Sequence, residues 1–380
     1  MNVPSVYKRA LDGFLIPPRT FPEMLSSAAM GFFSLFNEES RASFLNNLEK
    51  GVLNEAIIAQ ASMSPLVMLS LFHELENPIF KQNKFEASEF LEGVAPALEN
   101  FHNISGALDN QLRTKFSTEE ESFAPESSSS NESEKDENEQ RESGDEIDED
   151  REAILTALRL HQPGVEYPFG RNEKYLSEVL SNDWTTDAEK DPESLAAQLS
   201  RMVTTELFQL HQVGAKTAFL LQAPHGQNMT FQEGSCAVSN VALLSARACF
   251  CVPQEPAEGV ENDSESSPTR YEAVDYSMDE KEMKERNAAV AAQVDLLYEV
   301  TQNISLTKIE EATKPEGESA EESKVEEKSS NIPDETLMEH TIVNVATIQG
   351  WLKDGPNGEL RWQLALLRPP VEFPSMNPAY

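Results

Sequence analysis

Apolar positions along this chain change their period roughly two thirds of the way through. Up to about residue 220 they recur at helical spacing, and beyond about residue 240 they alternate. Residues 23–80 hold MLSSAAMGFFSLF, RASFLNNLEKGVLNEAIIAQ and SPLVMLSLFHELE, which predict two to four helices. FEASEFLEGVAPALENF (85–101) places Phe90, Val94, Leu98 and Phe101 on one stripe. Gly93 there leaves room for close approach of another element, and Pro96 removes an intrahelical hydrogen bond and predicts a kink. REAILTALRLH and EKYLSEVL continue the helical pattern. DPESLAAQLSRMVTTELFQLH (191–211) predicts one helix, with Asp191 as cap, Pro192 in the first turn and Glu193 at the positive dipole end.

Alternation then takes over. VALLSARACFCV sets Ala242, Leu244, Ala246, Ala248, Phe250 and Val252 on one side and Ser245, Arg247, Cys249 and Cys251 on the other. VAAQVDLLYEV sets Val290, Ala292, Val294, Leu296, Tyr298 and Val300 against Gln293, Asp295 and Glu299. TIVNVATIQGWL and ELRWQLALL predict two further strands, joined by the turn DGPNGE, with Leu360, Trp362, Leu364 and Leu366 on one face of the last. AKTAFLLQ either adds a short strand or closes the helical part. Helices first and strands afterwards give an α+β domain, in which helices pack on one face of a twisted antiparallel sheet.

Charge interrupts this succession without ending it. Of a net charge of −36, segment 117–152 carries −13, segment 254–286 carries −7 and segment 309–339 carries −8. Such stretches lack the apolar side chains that offset ordering entropy and are expected to be disordered. Neither set of strands flanking the last two can bury its apolar face alone, so both are expected to be insertions within one domain. The cost of closing a loop grows only logarithmically, by about 0.6 kcal/mol per doubling of length. The acidity disfavours nucleic acid and anionic lipid as partners. Residues 1–22 differ, with Lys8, Arg9 and Arg19 against Asp12, a mildly basic start compatible with an organelle presequence. Residues 23–84 form an N-terminal helical extension, and the α+β domain occupies 85–380.

Candidate chemistry is sparse. Cys236, Cys249 and Cys251 make no disulfide framework, and Cys249 and Cys251 read as buried small side chains rather than half of a metal site. No metal or cofactor is expected. The chain contains none of the Gly-rich phosphate loops, H-E-x-x-H or G-x-S-x-G, and its six histidines are scattered. By strand parity Arg247, Asp295 and Glu299, with Arg361 on the last strand, share a polar side. They form either an acid/base cavity or ordinary cross-strand charge pairing, and pairing is the expectation. Met30, Phe32, Phe33, Leu35 and Phe36 are apolar nearly all round. Burial in the core is expected, with insertion into a membrane interface or a partner groove as the alternative, in which residues 23–36 form a contact surface and Met30, Phe32, Phe33 and Phe36 are its partner- or membrane-binding residues.

EFLEGVAPA at 89–97 and WLKDGPNGELRWQLALLRP at 351–369, with the helices and long strands between them, resemble the Tim-forty-four-like domain family. That family is named for a subunit of the mitochondrial inner-membrane translocase. The resemblance spans about residues 85–370, and it implies the cone-shaped fold of the nuclear-transport-factor-two-like superfamily. It also implies a non-enzymatic interaction protein of the mitochondrial matrix, peripheral to the inner membrane and assisting protein import, membrane insertion or assembly. Protein partners at that membrane, and peripheral contact with the membrane itself, are implied too. The positions matching its contact surface are Phe90, Leu91 and Gly93 on the helix and Leu360, Trp362 and Leu364 on the last strand. The same superfamily includes small enzymes, so a small-molecule-binding or enzymatic cone is the alternative.

Overall fold

The computed structural model describes residues 13–17, 19–53, 64–120, 179, 181–222, 227–253, 271–274, 278, 280–308, 335–353 and 362–368. The helices expected in REAILTALRLH and EKYLSEVL, most of the acidic stretches, and the turn DGPNGE with Leu360 and Arg361 lie outside them, apart from Val179. The helical part runs α1 (Phe21–Ser34), α2 (Glu38–Glu49), α3 (Ser64–Leu75), α4 (Pro78–Gln82), α5 (Ala87–Glu120), α6 (Trp184–Lys190), α7 (Leu195–Met202) and α8 (Thr205–Gln222). Side chains that satisfy otherwise unpaired N–H groups fix several starts. Asn37 accepts from Glu39 N–H, Asn77 from Ile79 N–H and Ser194 from Ala197 N–H.

The strands are β1 (Gln227–Phe231), β2 (Ala237–Pro253), β3 (Tyr271–Val274), β4 (Ala289–Lys308), β5 (Glu335–Lys353) and β6 (Gln363–Arg368), with a short α9 (Glu280–Glu285) before β4. They form one six-stranded antiparallel sheet in the order β3-β2-β4-β5-β6. β1 continues along the β2 edge of β4, pairing Phe231 with Ile304 where β2 has ended. β4 therefore has neighbours along both edges. Its Ala292, Val294, Leu296, Tyr298 and Val300 are buried against Val94, Leu98, Phe101, Ile104, Leu108 and Leu112 of α5 and against α7 and α8.

Several expectations are corrected. The helix predicted over 191–211 is two. Val203 leaves the helical conformation and bridges Leu364 of β6, and Thr204 N–H donates to the Leu364 carbonyl at 2.9 Å, so the break docks the helices onto the sheet edge. Asp191 caps only the preceding turn, by accepting from Glu193 N–H. AKTAFLLQ is the end of α8. The helix at 85–101 extends to Glu120 with Pro96 inside it. Gly93 meets no neighbour, whereas Gly106 on the same helix lies against the Phe231 ring. Register irregularities at Ser239/Ala242, where Asn240 takes a positive φ of 53°, and at Leu243/Ser245 change the parity of β2. Leu243, not Leu244, faces the helical core. A further irregularity in β6 between its partners Thr347 and Ile348 sends Leu367 rather than Leu366 toward the core. The acidic segment 254–286 is not wholly disordered, since β3 and α9 lie within it. Tyr271 packs on Trp351, and Met278, Val274 and Met283 pack around Phe250 and Val290. Residues 335–339 likewise belong to β5.

β3 pairs only with Phe250–Pro253, so the upstream outer edge of β2 needs other partners for its backbone groups. α3 covers it. The buried Glu74 carboxylate accepts from Ala246 N–H at 2.9 Å and pairs with Arg19 at 2.5 Å. Burial pushes the Glu74 carboxyl up, and the Arg19 guanidinium opposes that shift. α1 packs across α3 at Gly31, where a Cβ would run into the Leu69 carbonyl. Gly31→Ala tests this crossing. Helix propensity alone predicts a gain of about 0.5–1 kcal/mol, whereas the crossing predicts a loss of about 1–3 kcal/mol, read as a lowered urea midpoint.

Candidate interaction surface

α1 buries Ala28 and Gly31 toward α3 and turns its large side chains outward. Phe33 is 64% exposed and Phe36 76%, and Met30, Phe32, Phe21 and Leu25 are exposed with them. The core burial expected for Met30, Phe32, Phe33 and Phe36 is therefore not what the structure has. Phe32 makes edge-to-face contacts with Phe33 at 5.9 Å and Phe36 at 5.5 Å, so the rings form one ridge rather than separate side chains. Between Phe21 and Glu39 the charged residues are Glu23, Glu38 and Glu39, with no Lys or Arg. The Thr20 N–H donates to the Glu23 carboxylate at 2.7 Å, and that bond holds the Glu23 carboxyl below its ordinary range. The ridge is apolar, and within Phe21–Glu39 its charged neighbours along the chain are acidic, with exposed Arg41 just beyond.

Of the positions matched to the family's contact surface, Phe90, Leu91, Trp362 and Leu364 lie elsewhere and face inward, and Leu360 lies outside the described residues. Leu364 is buried, and Leu91 packs against the core. The Phe90 ring stacks on Trp362 at 4.9 Å and on Phe85 at 5.6 Å, joining α5 to β6. The terminal strand thus completes a core, and Gly93 beside it is open to solvent.

Arg247, Asp295 and Glu299 do share the sheet face away from α5, but they do not converge. Arg247 is the register partner of Gln293, Asp295 of Ser245 and Glu299 of Ser239. Asp295 and Glu299 are four positions apart on β4, about 13 Å of extended chain. Asp295 accepts from the Thr347 hydroxyl at 2.6 Å, Glu299 from the Asn240 amide at 2.6 Å, and Arg247 donates to the Pro17 carbonyl at 2.8 Å. Arg361 lies outside the described residues.

Titratable groups do gather beneath α5. His102 Nε2 is 2.8 Å from the Tyr298 hydroxyl and Ser105 Oγ is 2.7 Å from His211 Nε2. Asp109 and Arg113 continue the same inner face of α5. Burial pulls His102 down to about 4, assisted by the nearby His211, and burial alone pulls His211 down to about 4. Burial pushes Asp109 up to about 6 against the pull of Arg113. The cavity beside His102 and Gly106 holds about 10 Å³, room for roughly one water. His102 bonds Tyr298 and Ser105 bonds His211 inside the interior, whereas Asp109 Oδ1 is buried without a hydrogen-bond partner. Scattered histidines gave no sign of this in the sequence. The usable signal was spacing, since His102, Ser105, Asp109 and Arg113 recur on the period of the apolar stripe.

Comparison with known protein families, curated proteins and solved structures finds no match to this chain. Among the described residues no helix is long and apolar enough to cross a membrane.

Because the fold holds His102 neutral, the unfolded chain binds the extra proton between pH about 6.5 and about 4. Stability from this group is full above that window and falls as pH drops through it, by about 2 kcal/mol between pH 7.5 and 5. Asp109, pushed up, acts with the opposite sign below pH about 6. Urea titrations of the unaltered chain and of His102→Gln separate the two, and the variant is expected to have the shallower acid dependence.

Proposed function

We propose that this chain is a non-enzymatic interaction protein that docks a partner polypeptide on the aromatic ridge of α1. The exposed Phe32, with Phe33 and Phe36 edge-to-face against it, carries this reading, because an apolar ridge of this kind is a recurrent mark of an interaction site. The acidic neighbours select among partners. An anionic bilayer is repelled by Glu23, Glu38 and Glu39, whereas an amphipathic helix with basic flanks matches both the ridge and these carboxylates. On the family resemblance, we assign this work to the matrix side of the mitochondrial inner membrane, as a peripheral protein assisting import, insertion or assembly. The same resemblance reads the helices and six-stranded sheet as a cone-shaped, nuclear-transport-factor-two-like domain. Ile16 and Arg19 are seated on the folded body, so a presequence covering 1–22 would include residues that the fold uses.

Two measurements test the proposal. Phe33→Ser combined with Phe36→Ser is expected to leave the unfolding free energy within about 0.5 kcal/mol. The same change weakens binding of a synthetic basic amphipathic helical peptide by about tenfold or more. Equal peptide binding by the variant rejects the ridge as the contact. Fractionation with carbonate extraction is expected to recover the chain with mitochondria and release it from their membranes, and a purely cytosolic distribution rules out the assignment to that organelle.

A further inference from the structure

Arg247 on β2, Gln293 on β4 and Gln349 on β5 are register partners, forming a row across three strands on the face turned away from α5. Residues 13–17 lie across this row, and every polar contact there is to their main chain. Gln349 grips in both senses: its Oε1 accepts from Leu15 N–H at 2.9 Å and its Nε2 donates to the Gly13 carbonyl at 2.7 Å. Gln293 Nε2 donates to the Ile16 carbonyl at 3.1 Å. Arg247 donates to the Pro17 carbonyl at 2.8 Å and, through its other terminal nitrogen, to Gln293 Oε1. Two side chains of the segment are read as well. Ile16, only 6% exposed, is clustered with Cys251 and Ala291, with Tyr271 and Trp351 packed around them. Arg19 reaches Glu74 and Ser70 at the end of α3.

Gln293 and Gln349 are themselves buried. A buried carboxamide without partners costs several kcal/mol at the upper end of transfer measurements, and here a crossing main chain provides the partners. Bonds to peptide groups for affinity, with pockets for selected side chains, are the means by which proteins recognise extended peptides. We propose that this sheet face is a binding site for a polypeptide segment with an aliphatic residue three positions before an arginine, held through its main chain. The chain's own residues 13–17, with Arg19, fill it in cis, and a partner polypeptide of the same pattern takes it in trans by displacing them. The site is separate from the α1 ridge, and displacement does not require α1 to leave α3, because the segment ends before the Thr20 cap.

The test uses the full-length chain and a fluorescent peptide of residues 13–22, followed by anisotropy. In the unaltered chain the tethered segment competes at high effective concentration, so Ile16→Asp, which unseats it, is expected to raise peptide affinity by about tenfold or more. Adding Gln349→Leu to that variant is expected to abolish the gain, and a peptide carrying the same Ile16→Asp change is expected not to bind. A folded Ile16→Asp chain that binds the peptide no better than the unaltered chain overturns the proposal. So does binding that survives Gln349→Leu. Circular dichroism confirms folding. Should Ile16→Asp fail to fold, Ile16→Ala serves in its place, with a gain of about threefold expected and no gain overturning the proposal.

Discussion

Strand β4 is paired along both edges, and the rest of the molecule is arranged around that pairing. β2 and then β1 occupy one edge and β5 the other, so segments far apart in sequence meet on twenty residues of chain. The long acidic stretches between them do not prevent this. Burying Val294, Leu296 and Val300 on the helix side contributes about 1.5–3 kcal/mol for each side chain, while doubling the length of a connecting loop costs only about 0.6 kcal/mol. Apolar burial wins by a wide margin.

The two faces and the open edge of the sheet then meet different needs. One face is closed by α5, α7 and α8, with the His102–Tyr298 bond joining helix to strand inside. The outer edge of β2 carries backbone groups beyond the reach of β3, and Glu74 of α3 satisfies one of them while balancing its own charge with Arg19. Covering that edge with α3 brings α1 to its far side. A helix apolar all round but packed on one side leaves its other side facing water, which is how Phe32, Phe33 and Phe36 come to be exposed. The opposite sheet face is crossed by residues 13–17. The ridge and the crossing segment are both consequences of how the sheet is covered.

The existence and type of the main elements were legible in the apolar period, because β4 and α5 each bury a regular stripe. What broke the period was not legible. An irregularity moves a side chain to the other face without changing local composition, and nothing near Leu243 and Leu244 distinguishes the one that faces the core. The stripe from Leu195 to Leu210 crosses the break at Val203 unaltered, because both helices pack on the same core. The helix and strand within the acidic segment 254–286 depend on Tyr271, Met278 and Met283, too few apolar residues to register against its charge. At the candidate site the apolar character of Met30, Phe32, Phe33 and Phe36 was plain, but their direction depended on where α3 lies. The seat of residues 13–17 was not legible either, because their partners Gln293 and Gln349 lie more than 270 residues away along the chain.

Native-state hydrogen exchange on the full-length chain tests the pairing around β4 most directly. The account predicts that amides of Val294–Val300, of their β2 partners between Val238 and Ala246 and of their β5 partners Ile342–Ile348 exchange with one common opening free energy, equal to that of global unfolding. Separate, lower opening energies for β2 or β5, with β4 protected alone, would contradict it.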